Sequence, residues 1–99
     1  MTAVLYSPEA FDDVQEILAF LQQRQPELIE KFEADYRKAL KKIRDFPQGW
    51  PKLGRRIRVK IISKRFLYGI YYEYSKKTIY IGAVCHLTRR LRWKRRFGS

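Results

Sequence analysis

The chain has 99 residues, enough for one domain and one core, and 45% of them are hydrophobic and 15% aromatic, which excludes a disordered basic tail. Lys and Arg number 22 against 10 Asp and Glu, a formal net charge of +12, so the surface selects anionic partners, either nucleic acid or an acidic protein segment. One cysteine and one histidine exclude an internal disulfide and leave no ligand set for a protein-built zinc site, and the apolar runs fall far short of the ~20 residues that span a bilayer.

Residues 2–6, Thr-Ala-Val-Leu-Tyr, are short, apolar and β-prone, and predict a first strand. Ser7-Pro8-Glu9 then supplies an N-cap, a first-turn proline and a first-turn acid, which start a helix. Phe11, Val14, Ile17, Leu18 and Leu21 recur at three- and four-residue steps with Asp12, Asp13, Glu16, Gln22 and Gln23 opposite them. This amphipathic stripe ends near Arg24. Pro26 and Glu27 restart the pattern, and Leu28, Ile29, Phe32, Tyr36, Ala39, Leu40 and Ile43 form a second, longer stripe. Its acids come early and its lysines late, as the helix dipole favours. The spacing predicts a helical hairpin with a very short turn.

Residues 46–54 hold two prolines and two glycines among bulky groups and predict a loop that packs its own Trp50. From Arg55 the period becomes two. Ile57, Val59 and Ile61 fall on one face and Arg56, Arg58 and Lys60 on the other, a half-buried strand with a cationic outer face. Arg65 to Tyr74 predicts an aromatic-rich second strand, Ser75-Lys76-Lys77 a polar hairpin turn, and Thr78 to Cys85 a third strand. The fold class expected is α+β in the order β-α-α-β-β-β: an N-terminal strand, a helical hairpin packed on a mostly antiparallel sheet, and a short basic C-terminal tail. A single domain spans residues 1–97, and Gly98-Ser99 reads as a frayed end or a tag remnant. The opening Met1-Thr2-Ala3-Val4 has no basic region ahead of an apolar one, so a soluble, unexported, cytoplasmic protein without membrane contact is expected.

Charge is divided as sharply as structure. Residues 1–45 hold seven Lys/Arg and nine Asp/Glu, whereas residues 46–99 hold fifteen Lys/Arg and one acid, Glu73. The C-terminal half is therefore the half that meets an anion.

Layout and motifs together resemble the RelE/ParE superfamily of bacterial toxins, the toxic partners of type II toxin–antitoxin operons. The resemblance rests on the opening strand running into Ser7-Pro8-Glu9-Ala10, the helical hairpin, the Phe46-Pro47 helix end and the basic strand. It continues through Arg65-Phe66-Leu67-Tyr68-Gly69-Ile70-Tyr71-Tyr72, similar to the family's Arg-Phe-Pro-Tyr-x-Ile-x-Tyr, and a last strand running into His86-x-x-Arg89. Leu67 stands where that pattern has proline, and Leu91 replaces a further proline, with Trp93 one residue early. The resemblance implies a growth-inhibiting toxin held in a hetero-oligomer by an acidic cognate antitoxin, with one of two targets. ParE-like members poison DNA gyrase without a ribonuclease centre; RelE-like members are mRNA interferases that cleave mRNA on the ribosome.

Metal-free RNA cleavage needs an acid or base and cations around the phosphorane. For a RelE-like chain the candidates are His86 as acid or base, with Lys60, Arg65 and Arg89 on the phosphate; histidine is the side chain whose ordinary pKa lies near neutrality. For a target-binding surface they are Arg56, Arg58, Lys60, Arg65, Arg89, Arg92 and Trp93. After Tyr80 no aromatic can transfer a proton, since only Trp93 and Phe97 remain, which favours the ParE-like reading and leaves the chain's standing as an enzyme open. A plain nucleic-acid-binding module is the third reading, carried by charge alone. No cofactor and no metal are expected.

Overall fold

The computed structural model describes residues 2–97, so Gly98 and Ser99 lie outside it. Strand β1 (Ala3–Tyr6) leads into α1 (Pro8–Arg24), a 3-10 turn at Pro26–Leu28 and α2 (Ile29–Asp45). Three strands follow, β2 (Ile57–Ile61), β3 (Tyr68–Ser75) and β4 (Thr78–His86), and the chain ends in a short helix α3 (Arg90–Arg96). The sheet order is β1-β4-β3-β2, with β1 parallel to β4 and the other pairs antiparallel. The α+β class, the element order and the hairpin connections match the sequence expectation. The tail is helical, and the segment 65–67 precedes β3 rather than belonging to it.

Local chemistry accounts for the helix ends. The Ser7 hydroxyl accepts from the Ala10 N–H at 3.0 Å with Pro8 in the first turn, which satisfies a donor that α1 would otherwise leave open. The Trp50 indole donates to the Lys42 carbonyl at 3.2 Å, so the 46–54 loop covers the C-terminal turn of α2.

The main core lies between the helical hairpin and one face of the sheet. Phe32, Ile43, Ile70, Tyr72, Ile79, Ile81 and Val84 are all 2% exposed or less there. Phe66 enters this core from the loop before β3 and meets Phe32 edge-on at 5.3 Å. A second, smaller core sits on the opposite face, where α3 lays Trp93 and Phe97 over Ile57, Tyr71, Ala83 and Cys85.

One residue lets β4 serve both cores. Tyr71 is opposite Ala83 while Tyr72 is opposite Ile81, so Gly82 is an unpaired bulge residue. Before it Ile79 and Ile81 face the helical hairpin; after it Ala83 and Cys85 face α3. Gly82 also has no room for a side chain, since a Cβ there would stand 2.5 Å from the Phe97 ring.

The register corrects the reading of β2. Arg58 and Lys60 pair with Tyr72 and Ile70, so they project to the helical side, at the margin of α2, while Ile57 and Val59 pack with Tyr71 under α3. An apolar row and a basic row were legible in the sequence, but not a second helix that claims the apolar one. The outer edge of β2 is closed by the preceding loop: Leu53 N–H donates to Ile57 C=O at 2.8 Å, Val59 N–H to Pro51 C=O at 3.1 Å, and Lys60 Nζ to Ile61 C=O at 2.8 Å. Strand β1 forms the other edge of the sheet, with Leu5 and Tyr6 exposed.

Among the described residues no helix is long and apolar enough to cross a membrane.

Candidate functional site

The C-terminal end of β4 opens into a cleft of about 320 Å³ between α1 and the turn that follows the strand. Its walls are Glu16, Ile17 and Phe20 from α1, Tyr68 from β3, and His86, Thr88, Arg89 and Arg92 from the chain's end. The His86 ring meets Tyr68 edge-on at 5.5 Å. Its Nδ1 accepts the Thr88 backbone N–H at 3.2 Å and lies 3.0 Å from the Thr88 hydroxyl. With Nδ1 engaged as an acceptor, the neutral ring carries its proton on Nε2. Burial raises the Tyr68 pKa against the opposing pull of Arg89, so this hydroxyl stays neutral at physiological pH.

Of the residues proposed for phosphate chemistry, the fold brings His86 and Arg89 into this cleft and leaves two outside it. Lys60 lies two strands away on β2, its Nζ 4.6 Å from the centroid of the Trp50 ring, in a separate cleft with Asp35, Lys38, Lys42 and Lys64. Burial, and then repulsion from Lys42, lower its pKa. Arg65 sits in the loop before β3, its Nε 3.6 Å from Asp35 Oδ2, an ion pair between an exposed guanidinium and a largely buried carboxylate oxygen. Arg58 donates to the Trp50 carbonyl at 2.8 Å.

The tail residues are more engaged than a free cationic surface would be. The Trp93 ring stacks on Tyr71 with centroids 5.7 Å apart and planes 10° from parallel. Arg92 donates to Asp13 Oδ1 at 3.2 Å and lies 3.7 Å from Glu16, and Arg96 reaches both Asp13 oxygens at 2.9 and 3.0 Å. Asp13 Oδ2 also accepts the Val84 backbone N–H at 3.0 Å. One carboxylate, 3% exposed, thus ties α1, β4 and α3 together. Hydrogen bonding to it raises the Arg96 pKa, so that cation is fixed.

The sequence placed Asp13 on the polar face of α1. It is buried because β1 stops pairing at Ile81, which leaves the rest of that β4 edge to be met by α1. Only the alignment of an acid in the first helix with arginines some 80 positions later could have signalled it, and composition carries no such pairing.

Arg56 is exposed just ahead of β2. It shares a cleft of about 240 Å³ with Lys52, Arg55 and Arg58, and lines a second of about 710 Å³ beside Trp93 and Lys94.

No family model and no curated protein matches this sequence. Solved structures do match the fold. A chain of the chromosomal ParDE TA system from P. aeruginosa superposes with a TM-score of 0.69 at 18% identity, over 87% of this chain and 96% of that one. A chain of the YoeB dimer from Staphylococcus aureus superposes with a TM-score of 0.55 at 16% identity, over 86% and 95%. The resemblance drawn from the sequence motifs therefore holds at the level of fold.

Proposed function

We propose that the chain is the toxin of a type II toxin–antitoxin pair, that it is ParE-like, and that it inhibits growth by poisoning DNA gyrase until an acidic cognate antitoxin captures it in a hetero-oligomer. The observation that carries the toxin assignment is the fold likeness to the ParDE system over 87% of this chain and 96% of that one, and the ParE-like choice of target is a finer step within it. The dispersal of the candidate phosphate clamp supports it: Lys60 and Arg65 do not line the cleft that holds His86 and Arg89. This arrangement favours action by binding over bond cleavage.

The experiment is a gyrase supercoiling assay on plasmid DNA with purified protein, run beside His86→Gln. Wild type and variant should both inhibit supercoiling and trap cleaved DNA. Folded protein without effect on gyrase would overturn the reading.

One observation favours a RelE-like mRNA interferase instead: His86 shares an open cleft with Tyr68 and Arg89, which sets an acid–base group beside a cation that could hold a phosphate. Under that reading His86→Gln lowers ribosome-dependent mRNA cleavage on the order of a hundredfold.

A further inference from the structure

The β3–β4 turn is built from two lysines in a conformation that lysine avoids. Ser75 pairs with Thr78, and the two residues between them, Lys76 and Lys77, have φ of 50° and 62°. A two-residue hairpin with positive φ at both positions is the type I′ turn, for which Asn-Gly is the favoured sequence. A side chain with a Cβ is disfavoured at each such position, because it crowds the neighbouring backbone. Lysine here serves something other than the turn.

The same end of the sheet gathers further cations. Lys52, Arg55, Arg56 and Arg58 line one small cleft together with Ser75, the residue that leads into the turn. Among the described residues none of the six cations forms an ion pair, although four carboxylates elsewhere are paired. Strained lysines beside unpaired arginines mark an anion-binding surface, and arginine suits phosphate because its planar fork bonds two oxygens at once.

We propose that this end of the sheet, formed by Lys52, Arg55, Arg56, Arg58, Lys76 and Lys77, docks the phosphate backbone of duplex DNA. A single strand is disfavoured because two aromatics beside the cations are engaged: Trp93 is stacked on Tyr71, and Tyr74, which lines the small cleft, packs against the main core. The surface offers many donors and few acceptors, so it grips phosphates but has little with which to read a 2′-hydroxyl. The inference stands apart from the gyrase reading, since it concerns direct contact with DNA and requires no second protein.

The test is fluorescence anisotropy of the full chain with a 20-base-pair DNA duplex of arbitrary sequence, titrated across salt. Lys76→Asn/Lys77→Gly removes two cations and suits the turn, so the variant folds. It should bind about fiftyfold more weakly at ~0.1 M salt, with the slope of log K against log salt shallower by about two. Arg55→Ser/Arg56→Ser, at exposed positions, should do the same. Lys31→Gln/Arg37→Gln, exposed on α2, removes equal charge and should bind nearly as wild type. An equal loss in that control would reduce the effect to net charge and overturn the proposal. So would tighter binding of an RNA duplex, or a polyglutamate peptide bound as tightly as DNA and weakened by the same variants.

Discussion

The two ends of the sheet carry the same kind of charge and handle it in opposite ways. At the His86 end, Arg92 and Arg96 converge on Asp13, and the cleft between them is bordered by a second acid, Glu16. At the hairpin end, none of the six cations forms an ion pair among the described residues, although Glu73 of β3 lines a cleft with Arg55 and Arg56. The first arrangement fixes structure; the second leaves charge available to a partner. Net charge read along a sequence counts both alike, and only pairing separates cations that hold the fold from cations that meet something else.

The sharpest way to break this contrast is at Asp13. Asp13→Ala leaves two partly buried guanidinium groups and the Val84 N–H without their acceptor, and should cost about 3–5 kcal/mol in urea unfolding. An equal truncation of exposed Arg55 or Arg56 should cost a few tenths at most. A small loss at Asp13 would show that the carboxylate is incidental and that the two ends do not differ in kind.

The next effect reads the paired end through its thiol. Burial pushes the Cys85 pKa up to about 11, outweighing Arg92, Arg96 and Arg89, whose influence Asp13 opposes. The unfolded thiol ionises near 9 while the folded one keeps its proton, so stability is complete below pH ~9, falls as pH rises toward 11, and levels off above it. Comparison with Cys85→Ala in urea titrations at pH 8 and pH 11 should isolate a loss of about 2 kcal/mol that the variant lacks. A wild type no more pH-sensitive than the variant would mean that the thiol is not shielded.

The smallest effect lies at the other end. Lys76→Asn/Lys77→Gly should raise stability by about 1 kcal/mol, because it supplies residues that accept the left-handed turn. Unchanged or lower stability would remove the argument that these lysines are kept against the preference of the backbone.

Much of the fold was legible because its signals are local. The change from a 3.6-residue period to a two-residue period near Arg55 marked where helices give way to strands, and Ser7-Pro8 marked where the first helix begins. The stripe led by Phe32 and Ile43 is the core side of α2. What escaped was whatever depended on contacts far apart in the chain. Asp13 resembled any acid on a polar helix face until Val84, Arg92 and Arg96 arrived. Gly82 resembled an ordinary strand glycine, since a bulge exists only relative to the strand opposite. Arg58 and Lys60 read from sequence as an outer face because period two tells that two faces differ, not which one a later helix will cover. Of the site, His86 and Arg89 were found as neighbours, whereas the separation of Lys60 and Arg65 from them follows from strand order, which no spacing along the chain encodes.

The closure of β2 by the 51–53 segment and by Lys60 has a consequence for self-assembly. A sheet with two open edges can be extended at both, and each added copy presents a fresh edge, which is how strands polymerise. Here one side is sealed and β1, with exposed Leu5 and Tyr6, forms the other. Pairing through β1 can join two copies, or one copy and one foreign strand, and then stops for want of a second growing end. The geometry sets an upper limit on association through the sheet, for a chain that would otherwise expose two strand edges.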